Sequence, residues 1–207
     1  MICADRIEKL HEEVSARLSD KRYAHTLGVE RAAARIGKFC LPDKVSELSV
    51  AALLHDVAKE MPREAQLAAM RRLELNFTAE DYRSFALYHA FAAAAIVRDN
   101  FSDIATDEIV SAVFKHTSGD FQMSDFDEII FVADFVEDGR EYEMCKAIRD
   151  RFFSQLSAAT SYEKRLQVLH LTTVEIIDFT VKYLEEKGKF VNSRMLLAKK
   201  SVLAKIN

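Results

Sequence analysis

Apolar residues recur at helical spacing along almost the whole chain, and few residues interrupt them. Ile7, Leu10, Val14 and Leu18 form the first such stripe, with the three- and four-residue steps that place side chains on one face of a helix. The 207 residues include only five glycines and two prolines, which is too few for the many tight turns of a β-sandwich or β-barrel. The pattern therefore predicts an all-α fold.

Serine and threonine residues mark several predicted helix starts. Ser19, Thr106 and Ser124 each precede an apolar periodic segment, where a side-chain oxygen can accept a hydrogen bond from one of the free N–H groups. Further helices are predicted at about 64–73, 144–156, 162–186 and 194–206. We interpret residues 1–207 as one domain, with the C-terminal helices from about 162 to 207 packed on it.

Two other predicted helices carry polar residues in apolar surroundings. One begins near Asp43 and runs to Ala58, which would place His55 and Asp56 near its C-terminal end. The other follows a capping-box pattern at 78–81 and is expected to run on through His89 and the alanine run at 92–95. The small side chains of that run favour close helix packing.

The composition excludes several classes of partner. A net charge of -4 gives no general attraction to nucleic acid or to an anionic membrane, so affinity for phosphate must come from a local site. No apolar run approaches the roughly 20 residues of a membrane span. The cysteines Cys3, Cys40 and Cys145 are far apart and odd in number, which favours reduced thiols. We therefore expect a cytoplasmic protein that binds no nucleic-acid polymer and no membrane.

Two carboxylates, Asp56 and Asp134, lie within strongly apolar segments. An unpaired charge there would cost on the order of several kcal/mol, so a positive charge must face each of them. Lysine or arginine is one answer, but four histidines also lie on or at the ends of apolar helical faces. A metal cation suits both residue types, because it binds neutral imidazole nitrogen and carboxylate oxygen. The predicted metal ligands are His25, His55, Asp56, His89, His116 and Asp134.

The order of these residues resembles the HD-domain superfamily of metal-dependent phosphohydrolases. That pattern consists of a lone histidine, an adjacent His-Asp pair, two further histidines and an aspartate in an apolar helix. The dipeptide His55-Asp56 alone is weak evidence, whereas the ordered set in matching helical contexts is specific. The resemblance implies an HD-domain helical bundle with the metal site in its core.

Within that superfamily the chain resembles the YqeK-type family over nearly its whole length. The matching strings lie at 22–29, 51–59, 116–123 and 133–140. The resemblance implies a symmetrical bis(5'-nucleosyl)-tetraphosphatase, which splits diadenosine tetraphosphate into two ADP. It also implies two metal ions, expected to be a di-iron centre, with manganese or cobalt as substitutes.

The superfamily pattern also implies how the ligands divide between two ions. Asp56 would bridge them, one ion taking His25, His55 and Asp134, the other His89 and His116. Asp56 and Lys59 are the predicted catalytic residues. Lys59 lies one turn after His55, and other polar residues lie close to the ligands in sequence. The predicted substrate-binding residues are Arg22, Lys59, Thr117, Ser118, Gly119 and Arg140.

The chain departs from the family pattern at three places. Ala90 to Ala94 replaces a stretch that usually contains glycine, Phe135 stands where a lysine is common, and Asp138 stands near a usual proline. We expect these changes to affect substrate preference and affinity rather than metal binding.

Two alternatives from other classes stay open. The chain could be a different HD-domain nucleotide phosphohydrolase or phosphodiesterase, or a non-catalytic nucleotide-binding HD module. The amphipathic piece at 194–206 could pack on the domain or on a second subunit, so a homodimer is also open. His11 and His170 are interpreted as ordinary structural histidines.

Overall fold

The computed structural model describes residues 2–206, and these residues form helices joined by short turns. No strand occurs within this range, which confirms the predicted all-α class. One-turn 3-10 helices at Pro42–Lys44 and Phe85–Leu87 precede two of the α-helices. The α-helices are α1 Ala4–Ser15, α2 Asp20–Cys40, α3 Val45–Leu54, α4 Arg63–Arg71, α5 Ala79–Arg83, α6 Tyr88–Asn100, α7 Asp107–Lys115, α8 Asp125–Val136, α9 Glu143–Ala158, α10 Tyr162–Glu186 and α11 Ser193–Ile206.

The predicted capping residues lie at the observed helix starts. The Ser19 side chain accepts a hydrogen bond from the N–H of Arg22, and Thr106 accepts one from Ile109. Ser124 forms a full capping box with Asp127 at the start of α8. These three predicted starts are confirmed.

The predicted helix from 43 to 58 was too long. Its α-helical part, α3, ends at Leu54, and a tight turn covers residues 55–60. Backbone hydrogen bonds there span three residues, such as Lys59 N–H to Asp56 O at 2.8 Å. The Gln66 side chain donates to the carbonyl of Ala58 at 2.8 Å, which satisfies a group that an α-helix would otherwise use. His55 and Asp56 therefore lie just after α3.

The predicted helix after residue 78 was also too long. The capping box forms between Thr78 and Asp81, but it opens only the five-residue α5. Ser84 ends α5, where its hydroxyl donates to the carbonyl of Glu80 at 2.8 Å and accepts from Asn192 at 3.0 Å. Because Asn192 comes from the far end of the chain, this break is fixed by tertiary contacts. A new helix, α6, then carries His89.

The core forms where α2 packs against α3 and α8, and where α6 packs against α4 and α7. The alanine run Ala92 to Ala95 is fully buried in α6, as expected for close helix packing. Helix α10 packs against α8, α9 and α11. The interpretation as one domain over 1–207 stays a prediction, and Met1 and Asn207 lie outside the described residues. Within the described part of the chain, every helix is too short or too polar to cross a membrane.

Candidate metal centre

The six predicted ligand residues come together in the core from five separate segments. His25 lies in α2, the His-Asp pair lies in the turn after α3, and the second aspartate lies in α8. One further histidine is the second residue of α6, and another directly follows the last residue of α7. These residues are His25, His55, Asp56, His89, His116 and Asp134.

Asp56 lies at the centre of this cluster and presents its two oxygens to different histidines. Its Oδ2 lies 3.4 Å from His55 Nε2 and 3.8 Å from His25 Nε2. Its Oδ1 lies 3.4 Å from His89 Nε2 and 3.6 Å from His116 Nε2. Because each oxygen faces its own histidine pair, the carboxylate is placed between two groups of ligand atoms.

Several atoms of the cluster are buried without a hydrogen-bond partner. They are the Nε2 atoms of His25 and His55 and the Oδ1 atom of Asp56. Buried polar atoms that lack a partner are costly. The ligand-type atoms also form compact sets, because those of His25, His55 and Asp134 lie within 4.8 Å of one another, as do those of His55, Asp56 and His116. The residues present therefore fit metal ions.

Backbone carbonyls orient two of the histidine rings. The Nδ1 of His55 lies 2.6 Å from the carbonyl oxygen of Ala52, and that of His116 lies 2.7 Å from the carbonyl oxygen of Val113. Since a carbonyl only accepts, both Nδ1 atoms must carry the proton. The Nε2 atoms then face the cluster, and with the proton on Nδ1 they are the ring nitrogens that would bind a metal.

Burial keeps two of the histidines neutral. It lowers the pKa of His89 well below its usual range, and the nearby Lys59 ammonium lowers it further. Burial also lowers the pKa of His116, although Asp56 opposes this. Neutral imidazole is the form that a metal ligand requires, so the protonation state of this pair suits metal binding.

The aspartates and His25 are charged in the absence of a metal. Burial disfavours the Asp56 carboxylate, but His55 and His116 hold its pKa well below the usual range. Burial also lowers the pKa of His25, yet the carboxylates of Asp134 and Glu137 reverse this and raise it to about 9. The His25 proton therefore occupies a position between carboxylates that a cation could take.

Three cationic side chains surround the cluster. Each contacts a different member of the cluster at hydrogen-bond distance, and each side chain is partly exposed. The contacts are Arg22 Nη1 to Asp56 Oδ2 at 2.9 Å, Lys59 Nζ to His89 Nε2 at 2.9 Å, and Arg140 Nη2 to Asp134 Oδ1 at 2.6 Å. The predicted phosphate-binding cations thus lie beside the predicted metal ligands.

The predicted binding loop after α7 is only partly directed at the cluster. Thr117 Oγ1 lies 3.1 Å from His89 Nε2, but the buried Ser118 hydroxyl donates to the carbonyl of Gly119 at 2.9 Å. Gly119 has a positive φ of 63°, and a Cβ added to it would collide with Ala198 of α11. Among the described residues, Thr117 is the member of this loop that contacts the cluster.

An open cleft of about 1140 Å³ adjoins the cluster. Arg22, His25 and Arg140 line its inner end, and Lys21 and Tyr142 also line it. Tyr142 is 76% exposed, so its ring is available for contact with a ligand. The cleft is large enough for a nucleotide, because small-molecule sites commonly occupy about 300–1,000 Å³.

Sequence reasoning assigned no role to Glu137, although the structure places it beside the cluster. Glu137 is 3% exposed, and its Oε1 lies 3.1 Å from His25 Nδ1. Gly28, one turn after His25, packs directly against its carboxylate. A glycine inside a predicted helix indicates that another group packs closely against the helix. The sequence therefore marked position 28, but it did not indicate that Glu137 is the group that packs there.

A second group of acids and a histidine lies between α8 and α10, away from this cluster. The His170 Nδ1 lies 3.0 Å from Glu128 Oε2. The Lys205 ammonium donates to Glu128 Oε1 at 2.8 Å and to Asp125 Oδ1 at 2.7 Å. Because the Lys205 ammonium pairs with both acids, we interpret the group as a partly buried ion-pair network, in line with the structural interpretation of His170.

The departures from the YqeK-type pattern have separate surroundings. Phe135 packs edge-on against Phe179 of α10, with ring centroids 5.9 Å apart. Asp138 has a side chain that is 77% exposed, 3.9 Å from Arg149. Position 135 thus contributes apolar packing where the family commonly has a positive charge.

Comparison with known proteins identifies relatives along almost the whole chain. The HD domain family matches residues 22–155. The protein named bis(5'-nucleosyl)-tetraphosphatase, symmetrical, from Staphylococcus aureus (strain NCTC 8325 / PS 47) is 31% identical over 190 residues, which cover 92% of this chain and 91% of that protein. A protein of the same name from Bacillus subtilis (strain 168) is 29% identical over 147 residues, covering 70% of this chain and 77% of that protein.

A solved structure also matches over the full length. It is the crystal structure of a predicted HD superfamily hydrolase involved in NAD metabolism from Clostridium acetobutylicum, with a TM-score of 0.82 and 25% identity. The match covers 99% of each chain. The fold, the ordered histidines and aspartates and these relatives agree, and the chain belongs to the HD domain family.

Proposed function

We propose that this chain is a metal-dependent hydrolase that cleaves diadenosine tetraphosphate symmetrically into two ADP. The observation that carries the hydrolytic part is the position of Asp56, whose two oxygens face two separate histidine pairs. The substrate follows from the relatives, because those from Staphylococcus aureus and Bacillus subtilis are both named as symmetrical tetraphosphatases.

The proposed centre would hold two metal ions, with Asp56 as a ligand common to both. His25, His55 and Asp134 would hold one ion, and His89 and His116 the other. Iron is the metal we expect, with manganese or cobalt as substitutes. When bound, such ions supply a water nucleophile at neutral pH and neutralise charge on the reacting phosphate.

The cationic side chains would bind the phosphate chain. Arg22 and Arg140 line the inner end of the cleft, so they are placed for the phosphates of one nucleotide half. Lys59 lies on the other side of Asp56, beside His89, where it can hold the phosphate of the other half. Burial lowers the pKa of Lys59, which also makes it a candidate to protonate the leaving oxygen.

This distribution of charge suits cleavage in the middle of a four-phosphate chain. Water attacks one of the two central phosphorus atoms and loses a proton, and the bond breaks between that atom and the oxygen that it shares with the other central phosphorus. That oxygen leaves as part of the second ADP. Both products are then ADP. Thr117 can donate a hydrogen bond near His89, and the cleft that Tyr142 lines can hold one nucleoside.

A substrate panel tests this proposal. The purified protein is supplied in turn with iron, manganese and cobalt, and is assayed on diadenosine tetraphosphate, diadenosine triphosphate and mononucleotides in ¹⁸O-labelled water. We expect ADP as the nucleotide product of the tetraphosphate, with one label in each pair of ADP molecules. ATP and AMP as products would contradict symmetrical cleavage.

The same panel separates the alternatives. Similar rates on every phosphoester would favour a different HD-domain phosphohydrolase or phosphodiesterase. Nucleotide binding without turnover in any of the three metals would favour a non-catalytic module. The proposed iron is tested by elemental analysis of protein purified without chelators and without oxygen. The cytoplasmic location and the homodimer stay predictions.

A further inference from the structure

The outer edge of the His25 ring is held by a carboxylate. The His25 Nδ1 lies 3.1 Å from Glu137 Oε1, while its Nε2 lies 3.1 Å from Asp134 Oδ1. Since the carboxylate only accepts, the Nδ1 must donate. His25 differs in this from His55 and His116, whose Nδ1 atoms donate to backbone carbonyls of their own segments.

The Glu137 carboxylate is itself held in place. Its Oε2 accepts a hydrogen bond from the N–H of Gly139 at 2.6 Å. Arg149 of α9 fixes the backbone around it, because its guanidinium donates to the carbonyls of Val136 at 2.7 Å and Arg140 at 2.8 Å, and also to that of Glu137. The carboxylate is therefore confined on two sides.

The third side is the bare backbone of α2 at Gly28. A Cβ added to Gly28 would overlap Glu137 Oε2 and lie 3.2 Å from its Cδ. The glycine thus leaves the space that the carboxylate occupies. Because Gly28 lies one turn after His25 in the same helix, the seat for Glu137 and the ring that it contacts are rigidly connected.

We propose that Glu137, seated against Gly28, is a positioning residue that fixes the orientation and tautomer of His25. The proton on Nδ1 is held toward Glu137, which leaves Nε2, on the side of Asp134 and Asp56, as the ring nitrogen that would bind a metal ion. Carboxylate partners of this kind raise the basicity of a histidine ligand and orient its ring. This inference rests on the proposed metal-dependent function and adds a residue to which no role had been assigned.

The test is the affinity of the full-length protein for Mn²⁺ alone, measured by calorimetry after removal of metal with a chelator. Glu137→Gln and Glu137→Ala are compared with the unmodified protein. We expect Mn²⁺ binding at the His25 side to weaken about 10- to 100-fold, as is typical when such partners are lost. Unchanged Mn²⁺ affinity in both variants would overturn the inference.

A matched pair of glycine variants tests the seat without changing any charge. Gly28→Ala pushes the Glu137 carboxylate away, whereas the Cβ of Gly37→Ala, in the same helix, would lie 2.6 Å from Leu48 Cδ1 in the apolar core. Both changes crowd α2. We expect Gly28→Ala to weaken Mn²⁺ binding at least about tenfold and Gly37→Ala to leave it unchanged. Equal effects would mean that Gly28 serves only packing.

The melting temperature of the metal-free protein distinguishes a purely structural role of Glu137 from a role in positioning His25. If Glu137 only stabilised the fold, Glu137→Gln would lower the melting temperature of the metal-free protein and leave Mn²⁺ affinity unchanged. Should the Glu137 variants fail to fold, the comparison of Gly28→Ala with Gly37→Ala decides whether the proposal stands. Because Mn²⁺ binding needs no nucleotide, failure to cleave diadenosine tetraphosphate would remove the proposed function and leave this result standing.

Discussion

Asp56 combines deep burial with an incomplete set of partners. It is 2% exposed, and its Oδ1 has no hydrogen-bond partner although two histidines lie within 3.6 Å. The folded protein thus keeps a buried carboxylate whose unpaired oxygen faces the histidines. A residue in this situation is expected to matter for chemistry more than for stability.

Asp56→Asn should abolish turnover while leaving a helical protein. The amide keeps the shape of the carboxylate but loses the negative charge that two cations would share, so we expect kcat to fall by at least about 10³-fold. Steady-state kinetics measure the loss of turnover, and circular dichroism measures the helical structure that should remain. The control is His11→Ala, at a ring that contacts Tyr23 and Glu30, which should retain nearly full activity.

Lys59→Ala should separate substrate binding from metal binding. Loss of a charge-assisted contact to phosphate costs about 1.5–3 kcal/mol, so kcat/KM should fall about 10- to 100-fold. Mn²⁺ affinity should not weaken, because the variant removes a positive charge 2.9 Å from His89 Nε2. Weaker Mn²⁺ binding with unchanged KM would contradict the assignment of Lys59 to phosphate. Lys182→Ala, at a side chain that is 76% exposed, is the matched control.

The sequence predicted the ligand-type residues because their chemistry is visible without coordinates. Charged and imidazole side chains in apolar segments, such as Asp134 in α8, stand out in a sequence because burying them without a partner is costly. The role of Glu137 was not visible, because it depends on the contact with His25, 112 positions away. Its seat at Gly28 likewise depends on how α2 packs against α8.

At the scale of elements, most helix starts were predictable and two helix ends were not. Ser19, Thr106 and Ser124 act through hydrogen bonds to residues three positions on, so their effect is local. The ends of α3 and α5 depend on Gln66 and Asn192, whose side chains satisfy backbone or hydroxyl groups from elsewhere in the chain. Local patterns carry no information about such partners.

The link between α5 and α11 gives a prediction about stability. Asp81 is 1% exposed and accepts hydrogen bonds from Arg194 Nε at 2.7 Å and from the N–H of Thr78 at 2.8 Å. Asp81→Asn removes one partner of a buried ion pair, which should lower the free energy of unfolding by about 3 kcal/mol. Urea unfolding at pH 7 measures this.

The contribution of Asp81 should also depend on pH. Hydrogen bonds to Arg194 and Thr78 outweigh burial and lower the pKa of Asp81 below its usual 3.8. A lowered folded-state pKa means that the stabilisation is complete above the usual pKa and is lost as the pH falls through the lower value. The difference in the free energy of unfolding between Asp81→Asn and the unmodified protein should therefore shrink below about pH 4. Asp178→Asn, in the exposed pair with Lys199, should change stability by less than about 1 kcal/mol.

At the scale of the whole molecule, the metal centre connects helices that are distant in sequence. His25 and Asp134, whose Nε2 and Oδ1 lie 3.1 Å apart, come from α2 and α8. Metal ions that bind only the folded protein should therefore stabilise all of these helices together.

Removal of metal should lower the melting temperature. At a free Mn²⁺ concentration of 100 times Kd, binding adds about 2.7 kcal/mol, which corresponds to about 5–10 °C in a protein of this size. Differential scanning calorimetry with Mn²⁺ and with a chelator measures the shift. Asp56→Asn should show a smaller shift, and equal melting temperatures for the unmodified protein in both buffers would argue against a structural contribution of the ions.

The contact between Gly119 and Ala198 joins the loop after His116 to α11. A hydrogen bond from the N–H of Met123 to Ser201 Oγ at 3.2 Å strengthens the same junction. Both helix residues lie beyond position 155, where the family match ends. The boundary of the family match is therefore not the boundary of the working unit, and transplanting residues 22–155 into another protein would leave that loop without the surface on which it rests.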